Sequence, residues 1–157
     1  MASKLSPKEA KERAGRFCAF RERSPNEVIE KIRSWGLSLV ESEDIVADLM
    51  KLNYIDEQRF ANAYCHDKFE FNSWGKQKIR MAIYPHKIAH HIVERALDRI
   101  NPETYEERLL GLARSKWDRL SSDEALKRKQ KTVNYLANKG FEAELIWNAI
   151  SVLEKGQ

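Results

Sequence analysis

At 157 residues the chain has room for one ordinary domain or a few small modules, and 42% hydrophobic with 33% charged residues describes a folded, charge-rich protein rather than a disordered one. A net charge of +4 and an isoelectric point near 9.0 permit a nucleic-acid partner only if the basic residues cluster. No apolar run reaches the length of a membrane span and the N-terminus MASKLSPKEAKERAG lacks the apolar stretch of a secretory signal, so the expected location is the cytoplasm, away from membranes.

The first helical pattern runs from about Pro7 to Arg23 with Ser6 as N-cap, and Ala10, Ala14, Phe17 and Cys18 share one side. Ser24-Pro25 ends it and, with Glu27 three residues after Ser24, opens a second helix through a capping box. Val28, Ile29, Ile32 and Trp35 form its apolar stripe, and Gly36 stops it. A third helix, near Ser42 to Leu52, carries Ile45, Val46, Leu49 and Met50, with Glu43 and Asp44 at the positive end of its dipole. Asn53-Tyr54-Ile55-Asp56 then turns the chain, Asp56 caps the next helix, and Tyr54, Ile55, Phe60 and Ala61 are expected to pack that corner.

The rhythm then repeats. Ile32, Ile83 and Leu136 occupy matching places in middle helices, and four residues after each come Gly36, Lys87 and Gly140. The second triplet covers about Asp56–Phe71, Ser73–Tyr84 and Lys87–Ile100. The third covers about Asn101–Leu120, Ser122–Lys139 and Glu142–Glu154, with Asn101-Pro102 and Ser122-Asp123-Glu124 as N-terminal caps. Period-2 alternation is absent, so the expected class is all-α: three tandem three-helix repeats over residues 1–55, 56–101 and 102–157. Gly140 is expected to close its helix with positive φ.

Charge is distributed in blocks: +4 over residues 1–37, −5 over 38–67, +4 over 68–99 and +1 over 100–157. In the second repeat Lys76 and Arg80 lie one helical turn apart with Lys78 beside them, opposite the apolar Ile79 and Ile83, and Lys87 follows in the next turn. In the third, Lys127, Arg128, Lys129 and Lys131 crowd the corresponding helix, opposite Val133 and Leu136. Arg21, Arg23, Lys31 and Arg33 make a weaker group, diluted by Glu22, Glu27 and Glu30. Tyr54, Phe60, Tyr64, Phe69, Phe71 and Trp74 could stack bases, but most fall on apolar stripes and read as core; Trp74 before Gly75 and Tyr84 before Pro85, at helix ends, are the exceptions.

Catalytic machinery is not visible. The chain has no GxxxxGK[ST] loop, HExxH or nucleophile elbow, so it reads as a non-enzyme without cofactor. His86 and His90 stand at i, i+4 with His91 adjacent, a spacing that could grip a metal, but no carboxylate motif accompanies them and a partly exposed helix face is the plainer reading. Cys18 and Cys65 lie far apart without CxxC spacing and read as buried thiols.

NYIDEQRFA at the junction of the first two repeats, WGKQKIR in the second and YLANKGFEAELI in the third, in that order, resemble the RecX family of recombinase regulators from about Arg21 to Leu153. One departure is that the second repeat of the family usually turns at Lys-Gly, where this chain reads Tyr84-Pro85-His86-Lys87-Ile88; Pro85 disfavours helix at Tyr84 and removes an amide. The resemblance implies an elongated, curved helical monomer that binds the RecA recombinase, especially its filament on single-stranded DNA, and limits filament growth and activity. Partner and DNA contacts would then fall to Lys76, Lys78, Arg80, Lys87, Arg128, Lys129 and Lys131. The alternative is a helical module that binds duplex DNA through the same basic helices.

Overall fold

The computed structural model describes residues 5–156; Met1–Lys4 and Gln157, which hold the outer limits of the first and third repeats and the start of the stretch read for a secretory signal, lie outside the described residues. Among the described residues there are nine α-helices and no strand: α1 (Pro7–Phe20), α2 (Pro25–Ser34), α3 (Leu39–Lys51), α4 (Glu57–Asn72), α5 (Lys76–Ile83), α6 (His90–Leu97), α7 (Pro102–Arg119), α8 (Ala125–Asn138) and α9 (Ala143–Lys155). The fold is therefore all-α and built of helical repeats, as the periodicity predicts. No helix among the described residues is long and apolar enough to cross a membrane.

Local chemistry explains most boundaries. Ser6 and Ser24 cap α1 and α2, each followed by proline in the first turn, and Ser24 with Glu27 completes the expected capping box. The third helix begins at Leu39, three residues earlier than the apolar pattern suggests, because Ser38 and Glu41 form a second capping box ahead of the apolar stripe. Ser42 is consequently inside the helix, fully buried, with its hydroxyl donating to the Ser38 carbonyl at 2.7 Å. Another correction falls at α8: Glu124 is its N-cap but makes no capping bond through its side chain, and Asp123 instead accepts from Lys131 at 2.8 Å. Around Pro85 both flanking helices are shorter than expected, with a 3-10 turn at Tyr84–His86 between them.

The matching landmarks of the repeats have matching backbones. Gly36, Lys87 and Gly140 all take the left-handed region, at φ 98°, 59° and 97°. At α8 the amides of Gly140 and Phe141 return to the carbonyls of Ala137 and Leu136, the paired bonds of a Schellman ending. Lys87 does this job without being glycine, at a cost of roughly 1–2 kcal/mol for a side chain in that region.

The chain packs as two compact units. One takes in the described residues through Tyr64 together with Ile83–Ala96; the other takes in Cys65–Ala82 together with the chain from Leu97 onward. In the first unit Ala10, Ala14, Val28, Ile32, Leu37, Ile45, Val46, Leu49 and Ile55 form one buried cluster, against which Phe17, Cys18, Ile29 and Trp35 pack in part. The sequence stripes of α1 to α3 predict nearly all of it. In the second unit Phe69, Ile79, Tyr105, Leu109, Trp117, Leu136, Phe141, Ile146 and Ile150 are buried. Cys65 is fully buried and Cys18 partly so; both are free thiols. Burial raises the Cys18 thiol above its ordinary range, with Glu22 and Glu27 adding to the rise and Arg23 opposing it.

Candidate nucleic-acid and partner interface

The basic helix α5 is held at its N-terminal end by backbone contacts to the end of α8. Gly75 donates to the carbonyl of Lys139 at 2.7 Å and Gln77 to that of Gly140 at 3.0 Å. Lys76 donates its amide to the Tyr105 hydroxyl at 2.9 Å. The first amides of α5 are therefore occupied by internal acceptors, and anion binding on this helix has to come from side chains.

Ile79 is fully buried, which turns Lys76, Lys78 and Arg80 to partly exposed positions. The Lys78 ammonium lies 4.6 Å from the centre of the Trp74 ring, and the Lys76 ammonium 5.2 Å from that of Tyr105. Neither lysine is paired with a carboxylate among the described residues, whereas Lys11, Lys129 and Lys131 are. Cation–π contact at a partly wet site contributes roughly 0.5–1 kcal/mol, enough to orient an ammonium but too little to hold it from an anion.

Tyr105 locks the site from below. Its hydroxyl accepts from Lys76 and donates to the Glu142 carboxylate, joining α5, α7 and the start of α9, and its ring packs between Phe69 and Phe141 at 5.7 and 5.3 Å. Burial first, then the Glu142 hydrogen bond, raises its pKa far above the ordinary 10.0. The folded state thus keeps the proton while the unfolded chain loses it, so this stabilisation is whole below about pH 10 and falls as pH rises further. Urea unfolding at about pH 8 and about pH 11 should show that loss in the native protein and a flatter response in Tyr105→Phe. At neutral pH the same substitution should cost about 1–3 kcal/mol, by stranding the Lys76 amide and the Glu142 carboxylate.

The basic residues of the third repeat are differently placed. Arg128 donates from Nε to the Trp117 carbonyl at 2.9 Å and lies 4.1 Å from that indole, so it acts as a packing residue joining α7 and α8. Lys129 pairs with Glu154 at 3.2 Å and Lys131 with Asp123 at 2.8 Å. Thr132 and Leu136 are the fully buried residues of α8, and Val133 is only half-buried. Lys76, Lys78 and Arg80 share the second unit with this cluster; Lys87, exposed in its left-handed turn, belongs to the first.

NYIDEQRFA, the most recognisable stretch, is a structural corner. Asn53 takes φ 65° and closes α3, and Asp56 accepts the Arg59 amide at 2.8 Å to start α4. The Arg59 guanidinium returns to the Asn53 side chain and carbonyl, and grips Glu22 at 3.0 and 3.2 Å. Ile55, Phe60 and Ala61 are buried as expected, but Tyr54 is half-exposed because the turn directs it outward. The side chains of Asn53, Asp56 and Arg59 are thus engaged within the fold.

The aromatic residues divide less cleanly than the apolar stripes suggest. Phe60 and Phe69 are core, while Phe71 and Tyr84 are 78% and 83% exposed. The apolar stripes give no sign of the exposure of Phe71; it follows the buried Phe69 by two positions, a spacing that on a helix turns it away from the core. The histidines do not converge. His86 lies in the 3-10 turn, 3.1 Å from Ser24 Oγ and against the rings of Phe60 and Tyr64, and His90, at the start of α6, approaches Glu94 at 4.0 Å. Among the described residues no three His, Cys, Asp or Glu side chains are grouped to hold a metal.

Comparison with known proteins supplies the family. Residues 56–97 match the family model described as RecX, second three-helix domain, and residues 103–150 the one described as RecX, third three-helix domain. A protein named Regulatory protein RecX from Chlorobium phaeobacteroides is 28% identical over 139 residues, covering 88% of this chain and 89% of the relative. Another of that name, from Lactobacillus johnsonii, is 24% identical over 129 residues, and there the match covers 82% of this chain but 48% of the longer relative. The crystal structure of RecX from Lactobacillus salivarius superposes with a TM-score of 0.87 at 23% identity, covering 94% of this chain and 96% of that one. With two consecutive domains of the family matched in order and the helical fold shared, the chain belongs to the RecX family.

Proposed function

We propose that this protein is a non-enzymatic regulator that binds the RecA recombinase, acting as a cytoplasmic monomer on its filament on single-stranded DNA and limiting filament growth and activity. The sequence repeats, residues 1–55, 56–101 and 102–157, are its building modules. The observation that carries the reading, beside family membership, is α5: a partly exposed basic helix with two lysines oriented on aromatic rings and unpaired with carboxylates. Such a face attracts phosphates or the acidic surface of a protein polymer. Lys76, Lys78 and Arg80 are assigned the principal contacts and Lys87 an auxiliary one. Lys129 and Lys131 can join only by releasing Glu154 and Asp123, and Arg128 contributes through the packing it provides.

The test is Lys76→Glu with Lys78→Glu, checked for native helicity and titrated into recombinase filaments and onto bare single strands at two salt concentrations. Inhibition of recombinase ATP hydrolysis should weaken at least about tenfold, and phosphate contacts would show as a salt slope lower by about two units. Unchanged inhibition by a folded variant would remove α5 from the interface. Retention by bare duplex but not by recombinase filaments would replace this reading with that of a duplex-binding module.

A further inference from the structure

We propose that the corner between α4 and α5 is a stacking platform for unpaired nucleobases, formed by Phe71 and Trp74 with Lys68 and Lys78 set to take the adjoining phosphates. It rests on the reading of α5 as a partner-facing helix and names the chemistry that the helix would meet there.

Two independent features carry the assignment. The first is how the turn is built. Ser73 takes φ 55°, and this left-handed residue brings the Trp74 amide back to the Lys68 carbonyl at 3.1 Å. The indole therefore lies beside the last turns of α4, with the Lys68 ammonium 5.2 Å and the Lys78 ammonium 4.6 Å from its ring centre. Two ammonium groups at one partly exposed indole make a surface that is aromatic and cationic together. The second feature is Phe71, three residues before Trp74 and 78% exposed; its ring meets the edge of His66 at 6.4 Å. Leaving a phenyl ring 78% exposed forgoes burial that is ordinarily favourable.

An extended strand with bases splayed outward complements such a surface. Every base has a π-face, so stacking is tolerant of sequence, and the phosphates on either side need cations at the same spacing as the rings. A duplex keeps its bases stacked on one another and offers this corner only phosphates. The platform therefore gives preference for single strands, which charge alone does not supply.

The experiment measures affinity for a labelled oligothymidylate and for a duplex of equal length with Phe71→Ala, Trp74→Ala and Lys78→Gln. Phe71→Ala and Trp74→Ala should each weaken single-strand binding about tenfold with little change in salt slope, and leave duplex binding at the native value. Lys78→Gln should lower the salt slope by about one unit. Because Trp74 is partly buried, Phe71→Ala is the decisive variant: its side chain is exposed and its loss does not threaten folding. Native single-strand affinity in Phe71→Ala would overturn the platform, as would an equal loss on duplex. Weakened filament inhibition with unchanged bare-strand binding would overturn it in favour of an acidic protein surface at this corner. The two readings fail separately. If the α5 charge reversal spares inhibition while Phe71→Ala still weakens the strand, the assignment of α5 to the recombinase interface falls and the platform stands; the converse removes the platform alone.

Discussion

Gly75→Ala should lower stability by about 3 kcal/mol or more, a large share of the roughly 5–15 kcal/mol that holds an ordinary domain together. A Cβ at this position would stand 2.3 Å from the carbonyl carbon of Gly140 and 2.4 Å from both the Gly140 oxygen and the Phe141 nitrogen. All three are main-chain atoms, so no flexible side chain can move aside. Relief requires the α5 and α8 ends to part, which strains or breaks the bonds from Gly75 to Lys139 and from Gln77 to Gly140. Overpacking contributes about 1–3 kcal/mol and each lost hydrogen bond about another 1. The thermal midpoint should fall by about 6 °C or more, given about 2–4 °C per kcal/mol in a chain of this size. A midpoint unchanged within about 2 °C would mean that the two backbones do not meet.

Gly140→Val should be at least as severe, because conformation and space both oppose it. The residue has φ 97°, where a β-branched side chain is strained by roughly 1–2 kcal/mol or more. Its Cβ would also lie 2.3 Å from Lys78 Cβ and 2.6 Å from the Lys78 nitrogen. The combined cost is about 3–5 kcal/mol. Gly111→Ala is the control: a Cβ there meets nothing within 4 Å, and alanine inside a helix should be neutral or stabilising by up to about 1 kcal/mol. Matching losses at both positions would show a general intolerance to added side chains rather than this contact. The two glycine effects should not add when combined, since each substitution forces apart the same pair of backbones.

What the sequence disclosed, and what it concealed, follows from range. Gly36, Lys87 and Gly140 are visible as a repeating end signal because each acts on the helix just before it, and their left-handed backbones agree. The stripes of α1 to α3 name their core for the same reason. Gly75 shows only as a residue after Trp74, because what demands glycine there is a backbone 65 positions later in the chain. Charge counting finds the cations of α5 and α8 alike and cannot tell them apart. The carboxylates that occupy Lys129 and Lys131 come from Glu154 and Asp123, and the acceptor for Arg128 is a main-chain carbonyl with no signature in sequence. Arg59, a cation in the most distinctive stretch of the chain, is likewise engaged in holding a corner, through Glu22, distant from it in sequence, and through the main-chain carbonyl of Asn53.

The division of the chain into two packed units cuts across its fifty-residue period. The polypeptide passes from one unit to the other between Tyr64 and Cys65, returns between Ala82 and Ile83, and leaves again between Ala96 and Leu97. The first of these passages lies within the unbroken helix α4. No single cleavage of the backbone can therefore release either unit with all its own segments attached. The repeat is the period in which the helices are written, while each packed unit is assembled from two separate lengths of the thread.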